Sequence, residues 1–254
     1  MFGVYLFIAS ALLQADVRPL PELATFLADF RANLHTDDVL LSQYTYTEKR
    51  THIELGSDGT PGKTQTNVYQ ITRASDGAIY RKLVSTDGKA VKAAKPEKVR
   101  DVSRRDDQKV IDDIFAGYDM RIVGREDFDG RPVTRIHFRP RPKYVSRTRQ
   151  GRIAHHVAGD AWIDEADHQL ARVEAEVIDS VSIGFGLLAK LQKGAMLRGE
   201  RRKVNEEIWL PARTEVFLSA RILLLKGINL REILEYSDYK KFNVETTIKI
   251  PQEK

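Results

Sequence analysis

The 254-residue chain contains no cysteine. Disulfides, thiol catalysis, cysteine metal sites and lipidation of a processed N-terminal cysteine are excluded together. The usual catalytic signatures are missing as well. There is no His-Glu-x-x-His, no Gly-x-Ser-x-Gly and no phosphate loop, since Gly62-Lys63-Thr64 lacks the upstream glycine and the following helix. Ser182 and Ser219 have no motif around them. The paired acids Asp112-Asp113 and Glu206-Glu207 set neighbours on different sides of a helix or strand, which is poor geometry for acid/base work. His155-His156, Asp160, Asp164 and His168 form the only His/Asp cluster, and their spacing matches no metal motif. The expectation is no enzyme, no catalytic residue, no metal and no cofactor.

Long apolar runs are scarce too. The clearest covers residues 2–13, Phe-Gly-Val-Tyr-Leu-Phe-Ile-Ala-Ser-Ala-Leu-Leu. It falls short of the roughly 20 residues a bilayer span needs. It suits the apolar region of a secretory signal, with small residues at Ala9-Ser10-Ala11 and Ala15 for cleavage. No Lys or Arg precedes it, so its positive end is weak. A signal peptide over residues 1–15 and a periplasmic location are expected, with 16–254 as a single domain.

What is present is a folded composition of 42% hydrophobic and 30% charged residues, enough for a sizeable core. The 41 basic and 36 acidic residues give a formal charge of +5. The clearest local excess is Arg139, Arg141, Lys143, Arg147, Arg149 and Arg152, with no acid among them. A solvated surface is one reading of this run. Contact with anionic head groups or an acidic partner through Arg147, Arg149 and Arg152 is another. No aromatic series of nucleic-acid-binding type accompanies it, and no nucleic-acid partner is expected.

Periodicity organises the chain around residues 159–226. Gly159-Asp-Ala-Trp-Ile-Asp164 reads as a strand entering a turn at Glu165 to His168. The chain leaves in Leu170 to Val177, with Ala171, Val173, Ala175 and Val177 on one face and Arg172, Glu174 and Glu176 on the other. A second hairpin runs through Trp209-Leu-Pro211, Thr214 to Leu225, a Lys226-Gly227 break and a return strand from Ile228 to Tyr236. Upstream, Pro19 and Pro21 open a helix with Leu23, Phe26, Leu27, Phe30 and Leu34 on one stripe. From Tyr44 the period becomes two, and turns at Gly56–Gly59, Asp76-Gly77 and Asp87-Gly88 separate three strands. A polar helix is expected from Lys92 to Asp113, ending near Gly117. Strands at 118–124 and 131–140 follow, then a short helix within 144–158 stopped by Gly159. Val181 to Leu191, with Gly184 and Gly186, reads as a bent, greasy lip or a bent core strand.

Several landmarks recur in order: Tyr44-Thr-Tyr46 with Glu48, Asp87-Gly-Lys89, Gly124-Arg-Glu126, Gly130-Arg-Pro132 and Phe138-Arg-Pro140. Gly159-Asp-Ala-Trp-Ile-Asp164, Trp209-Leu-Pro211 and Tyr236-Ser-Asp-Tyr239 complete the series. With these the chain resembles a group of bacterial exported proteins of the outer-membrane lipoprotein-sorting (LolA/LolB-like) fold. The resemblance implies an α+β fold: a strongly curved antiparallel β-sheet, an incomplete barrel, with helices covering the concave side. It implies a periplasmic, non-enzymatic binder of lipid or acylated protein in an apolar cavity. Trp162, Phe185, Leu187, Leu188, Trp209 and Phe217 are the expected lining, from their place on the central hairpins and the glycine-rich lip. The alternative is an envelope scaffold or stress-sensor module holding a protein partner through the basic segment, with peripheral membrane contact.

Overall fold

A computed structural model describes residues 18–73, 78–99, 104–183, 189–222 and 226–241. The expected signal peptide and the Asp76-Gly77 turn lie outside these residues. The chain opens with α1 (Leu23–Asn33) and α2 (Asp37–Leu41), then β1 (Tyr44–Leu55), β2 (Pro61–Arg73), β3 (Ile79–Thr86), β4 (Lys89–Ala90) and β5 (Glu97–Val99). Helix α3 (Arg104–Gly117) leads into β6 (Tyr118–Phe128), β7 (Arg131–Pro140), α4 (Arg149–Ala154), β8 (Val157–Asp164) and β9 (Leu170–Val177). The last strands are β10 (Val181–Ile183), β11 (Ala189–Leu191), β12 (Met196–Val204), β13 (Ile208–Ile222) and β14 (Lys226–Lys241).

All fourteen strands join one antiparallel sheet, in the order β4-β3-β2-β1-β14-β13-β12-β9-β8-β7-β6, with β5 on β3 and β11 on β13. The sheet is curved and does not close. The α+β class and the incomplete barrel are therefore as expected. Two turns follow from local chemistry. Asp87-Gly88 and Asp129-Gly130 both have positive φ at each residue, the two-residue geometry whose twist suits a hairpin.

The helices lie on one face. Glu22 caps α1 by accepting from Ala24 N at 2.9 Å and Thr25 N at 2.7 Å. The predicted stripe is then buried: Phe26 and Phe30 pack on Ile136 and Ile163, with Leu23, Leu27, Leu34 and Phe115 around them. Leu40 of α2 packs on Tyr44, Tyr46, Ile71 and Leu210. The strand register carries this same face from β7 through β8, β9, β12, β13 and β14 to β1.

Two expectations need correction. Residues 97–99 form β5 on β3 rather than helix, and the helix begins only at Arg104. Pro96, which has no N–H to donate, breaks any helix running from Lys92. Gly159 does not stop a helix either. Helix α4 ends at Ala154, and Gly159 is the third residue of β8. A Cβ there would lie 2.0 Å from the carbonyl oxygen of Glu174, so glycine permits close approach of β9.

The two sequence landmarks meet through one carboxylate pair. Asp164 is fully buried and accepts from Arg131 Nε at 2.6 Å, Arg131 Nη2 at 3.0 Å, Ala166 N at 3.0 Å and Asp167 N at 2.7 Å. Asp167 in turn accepts from Trp209 Nε1 at 2.8 Å and pairs with Lys203 Nζ at 2.9 Å. The β8–β9 turn is thus tied to the β12–β13 hairpin. Asp164→Ala leaves two backbone donors of the turn without their acceptor, while Arg131 keeps Asp167 at 2.9 Å, and unfolding measurements should show a loss of about 1–3 kcal/mol.

Candidate functional site

The two faces of the central sheet differ in chemistry. On the face away from the helices, Arg172, Arg198, Arg213 and Arg231 interleave with Glu174, Glu200, Glu215 and Glu235 across β9, β12, β13 and β14. Arg231 Nε donates to Glu215 at 2.6 Å, and Arg172 Nη2 donates to Glu174 at 2.5 Å. Trp162 sits in this layer with Arg135 and Arg172 over its ring at 5.1 and 4.9 Å. It packs with Val133, Ala171 and Trp209. Phe217 lies on the same face under Arg231, 5.0 Å from its ring. A groove of about 310 Å³ has a mixed lining, with His137, Asp160, Glu174, Glu176 and Arg198 beside Ile178, Met196 and Leu197.

The helix-side face is different. Register places Val173, Leu197, Val216, Leu218, Leu230 and Leu234 on it, with Thr214 and Glu232 among them. Leu197 is 39% exposed and the others are half-buried. None of these six belongs to the three core clusters of the described residues. Among the described residues, the six stand apart from the clusters in which α1 and α2 pack. At Leu234 the row meets a cavity of about 370 Å³ beside α2. Its walls include Leu41, Tyr46, Ile71, Ile79 and Tyr236, and its polar groups are Asp37, Glu48, Arg50, Arg81, Glu97 and Lys98. Arg50 Nη2 donates to the buried Glu48 at 2.9 Å, and its Nε lies 3.3 Å from Glu232 Oε1. Burial pushes the Tyr236 phenol well above its ordinary range.

Of the expected cavity lining, Trp162, Trp209 and Phe217 therefore do not line this cavity. Phe185, Leu187 and Leu188 lie outside the described residues. Alternation groups residues by face, but only packing reveals which face the helices cover. The first three residues fell on the other side for that reason. The signal that could have found the row is the same period-two pattern read through Leu197, Val216, Leu218 and Leu230.

The histidine and aspartate cluster is dispersed. Asp160 pairs with Arg135 at 2.9 Å and His137 at 3.0 Å, Asp164 binds Arg131, and His168 packs edge-on against Phe26. Asp112 and Asp113 diverge as the helix geometry requires. Asp112 accepts from Arg31 at 2.7 Å. Asp113 is buried and gathers the basic segment: it accepts from Tyr144 Oη at 2.8 Å, Arg147 N at 3.0 Å, Thr148 N at 2.8 Å and Thr148 Oγ1 at 2.7 Å. Arg147, Arg149 and Arg152 themselves are exposed.

Comparison with known proteins gives likeness in structure alone. No family model matches the chain, and no curated protein matches its sequence. A DUF1329 family protein from Desulfovibrio piger is similar at TM-score 0.39 and 15% identity, over 85% of this chain and 92% of that one. A putative outer membrane lipoprotein-sorting protein domain from Vibrio parahaemolyticus has TM-score 0.38 and 8% identity, over 90% and 93%. A LolA superfamily protein from Nitrosomonas europaea has TM-score 0.32 and 12% identity, over 87% and 94%. These neighbours include the group that the sequence landmarks resemble. The site is read from this chain's own side chains.

Burial raises the Asp113 carboxyl, but the N–H groups of Arg147 and Thr148 with the Thr148 and Tyr144 hydroxyls outweigh it and hold it at about 2. A depressed folded value gives stability that is complete above the unfolded value near 3.8 and is lost as pH falls towards 2. Amide exchange at Arg147 and Thr148 should stay slow down to about pH 4 and accelerate below it. In Asp113→Asn the acid-dependent step should vanish.

Proposed function

We propose that this chain is an exported, non-enzymatic binding protein that takes the acyl chain of a lipid or lipidated protein on the helix-side face of its sheet. The observation that carries this reading is the row Val173, Leu197, Val216, Leu218, Leu230 and Leu234, left without a covering helix among the described residues. Neighbouring strands lie about 4.8 Å apart, so the row crosses roughly 14 Å from β9 to β14. An acyl chain laid along it removes both surfaces from water. Each buried methylene contributes about 0.8 kcal/mol, and eight approach about 6 kcal/mol. That is enough for useful affinity without any polar anchor.

The cavity beside α2 continues the row and falls within the size range of small-molecule sites, about 300–1,000 Å³. Its mixed lining suits the polar end of an amphiphile: Arg81 stacks on Tyr69 at 4.7 Å and, among the described residues, has only the exposed Glu97 as an ion partner, at 3.5 Å. Export is supported by the apolar run at residues 2–13. The reading keeps the acyl ligand expected from the sequence and moves it to the opposite face from Trp162, Trp209 and Phe217.

The test is native mass spectrometry of protein purified from an exporting host, with organic extraction and titration of a fluorescent fatty acid. Wild-type protein should carry or bind acyl lipid. Leu218→Asp should weaken binding by about tenfold or more, while Phe217→Ala on the charged face should leave it unchanged. Equal binding by folded Leu218→Asp protein would remove the row from the site, and an empty protein that binds no fatty acid would end the reading.

A further inference from the structure

The segment between β7 and β8 carries a second surface whose order does not come from its own packing. Arg139, Lys143, Arg147, Arg149 and Arg152 are all exposed. Arg141 is held by Asp119 at 3.0 Å, and Asp112 is taken by Arg31. Among the described residues, no carboxylate pairs with the five exposed cations. The nearby acid that could neutralise them, Asp113, faces inward and spends its oxygens on Tyr144, Arg147 N and Thr148. A carboxylate is thus used to hold the loop in shape while its charge is turned away from the loop's outer side.

The outer side has two further peculiarities. Val145 is 82% exposed, the most exposed large apolar residue described. Lys143 has φ +69, a left-handed conformation that a non-glycine residue adopts at a cost. Tyr144 N donates to Arg141 O at 3.3 Å across Pro142 and Lys143, a tight turn whose third position ordinarily favours Gly or Asn. Here that position presents a cation. Thr148 then caps α4 by accepting from Gly151 N at 2.9 Å, and Gly151 is needed there because a Cβ would lie 2.0 Å from Asp113 Oδ2. The loop is preorganised around an apolar tip ringed by positive charge.

We propose that this loop docks the protein on an anionic membrane surface, with Lys143, Arg147, Arg149 and Arg152 meeting head groups and Val145 entering the interface between them. An acidic protein would satisfy the charges but gives no reason for an isolated valine at the tip. A bilayer surface satisfies both. Placement fits as well. The loop joins the end of β7 to the start of β8, and the register Val157 with Val177, Glu176 with Met196 and Met196 with Phe217 brings the same end of the sheet to Leu218. A membrane met by the loop lies at the end towards which the apolar row runs.

The experiment is co-sedimentation of the protein, purified from an exporting host and stripped of lipid, with vesicles of phosphatidylcholine alone or with a third phosphatidylglycerol. Binding should require phosphatidylglycerol and weaken steeply in 0.5 M salt. Arg147→Glu/Arg149→Glu/Arg152→Glu should lower the partition coefficient by at least about 100-fold, at about fivefold per cation removed. Lys89→Glu/Lys92→Glu/Lys95→Glu makes the same change in net charge at exposed positions elsewhere and should lose far less. Equal losses in the two triple variants, equal binding to both vesicle types, or retention on an acidic protein or nucleic acid without vesicle binding would each overturn the proposal. The row is tested separately: Leu218→Asp should bind vesicles like the wild type, so failure of the acyl reading and failure of this one give different results.

Discussion

A carboxylate shut away from water must be met on every side, and Asp164 is the group around which that requirement is enforced. It is fully buried, and Arg131, Ala166 N and Asp167 N meet it. Desolvation of a charge is tolerated only when partners of fixed geometry replace the lost water. Those partners are the β8–β9 turn itself, so the turn cannot change shape without exposing the cost. Asp167 extends the constraint to Trp209, and Glu165 extends it to Arg125 at 2.7 Å and Thr134 at 2.7 Å. Three neighbouring acids therefore fix β6, β7, β8 and the β12–β13 hairpin relative to one another. The stacking of Arg131 on Trp209 and of Arg135 and Arg172 on Trp162 follows from that placement.

The division of labour between the two faces rests on this frame. Interleaved Arg and Glu keep one face wet, with modest energy from any single exposed pair. The other face is dry where α1 and α2 cover it. Elsewhere on that face, among the described residues, leucines and valines of β9, β12, β13 and β14 stand outside the helix-covered clusters. Apolar side chains left against water on that face cost stability.

Much of the architecture was legible in the sequence because period-two alternation and turn chemistry are local. The β1–β2–β3 meander, the Asp87-Gly88 turn and the α1 stripe all come from neighbours in the chain. What was not legible depended on distant partners. Ala171 lies at the irregularity in the β8–β9 register and turns to the Trp162 cluster, while Val173 faces the helix side. Alternation alone puts both on one face. The tryptophans looked like cavity lining because size and hydrophobicity are visible in a sequence, whereas the guanidinium groups stacked on them come from other strands. In the sequence Asp113 reads as half of a poor acid pair. Its value comes from residues more than thirty positions away.

The rims of the open sheet have a consequence of their own. On one side β6 is interrupted by the register shift at Val123 and carries Asp119, Arg121, Glu126 and Asp127 along its length. On the other, β3 is flanked by the two-residue β4 and the three-residue β5. Among the described residues, neither rim offers a long, straight template of main-chain donors and acceptors. Recognition at these described rims would then be written in side chains, where single substitutions can retune it, more than in backbone pairing, which any extended peptide could counterfeit.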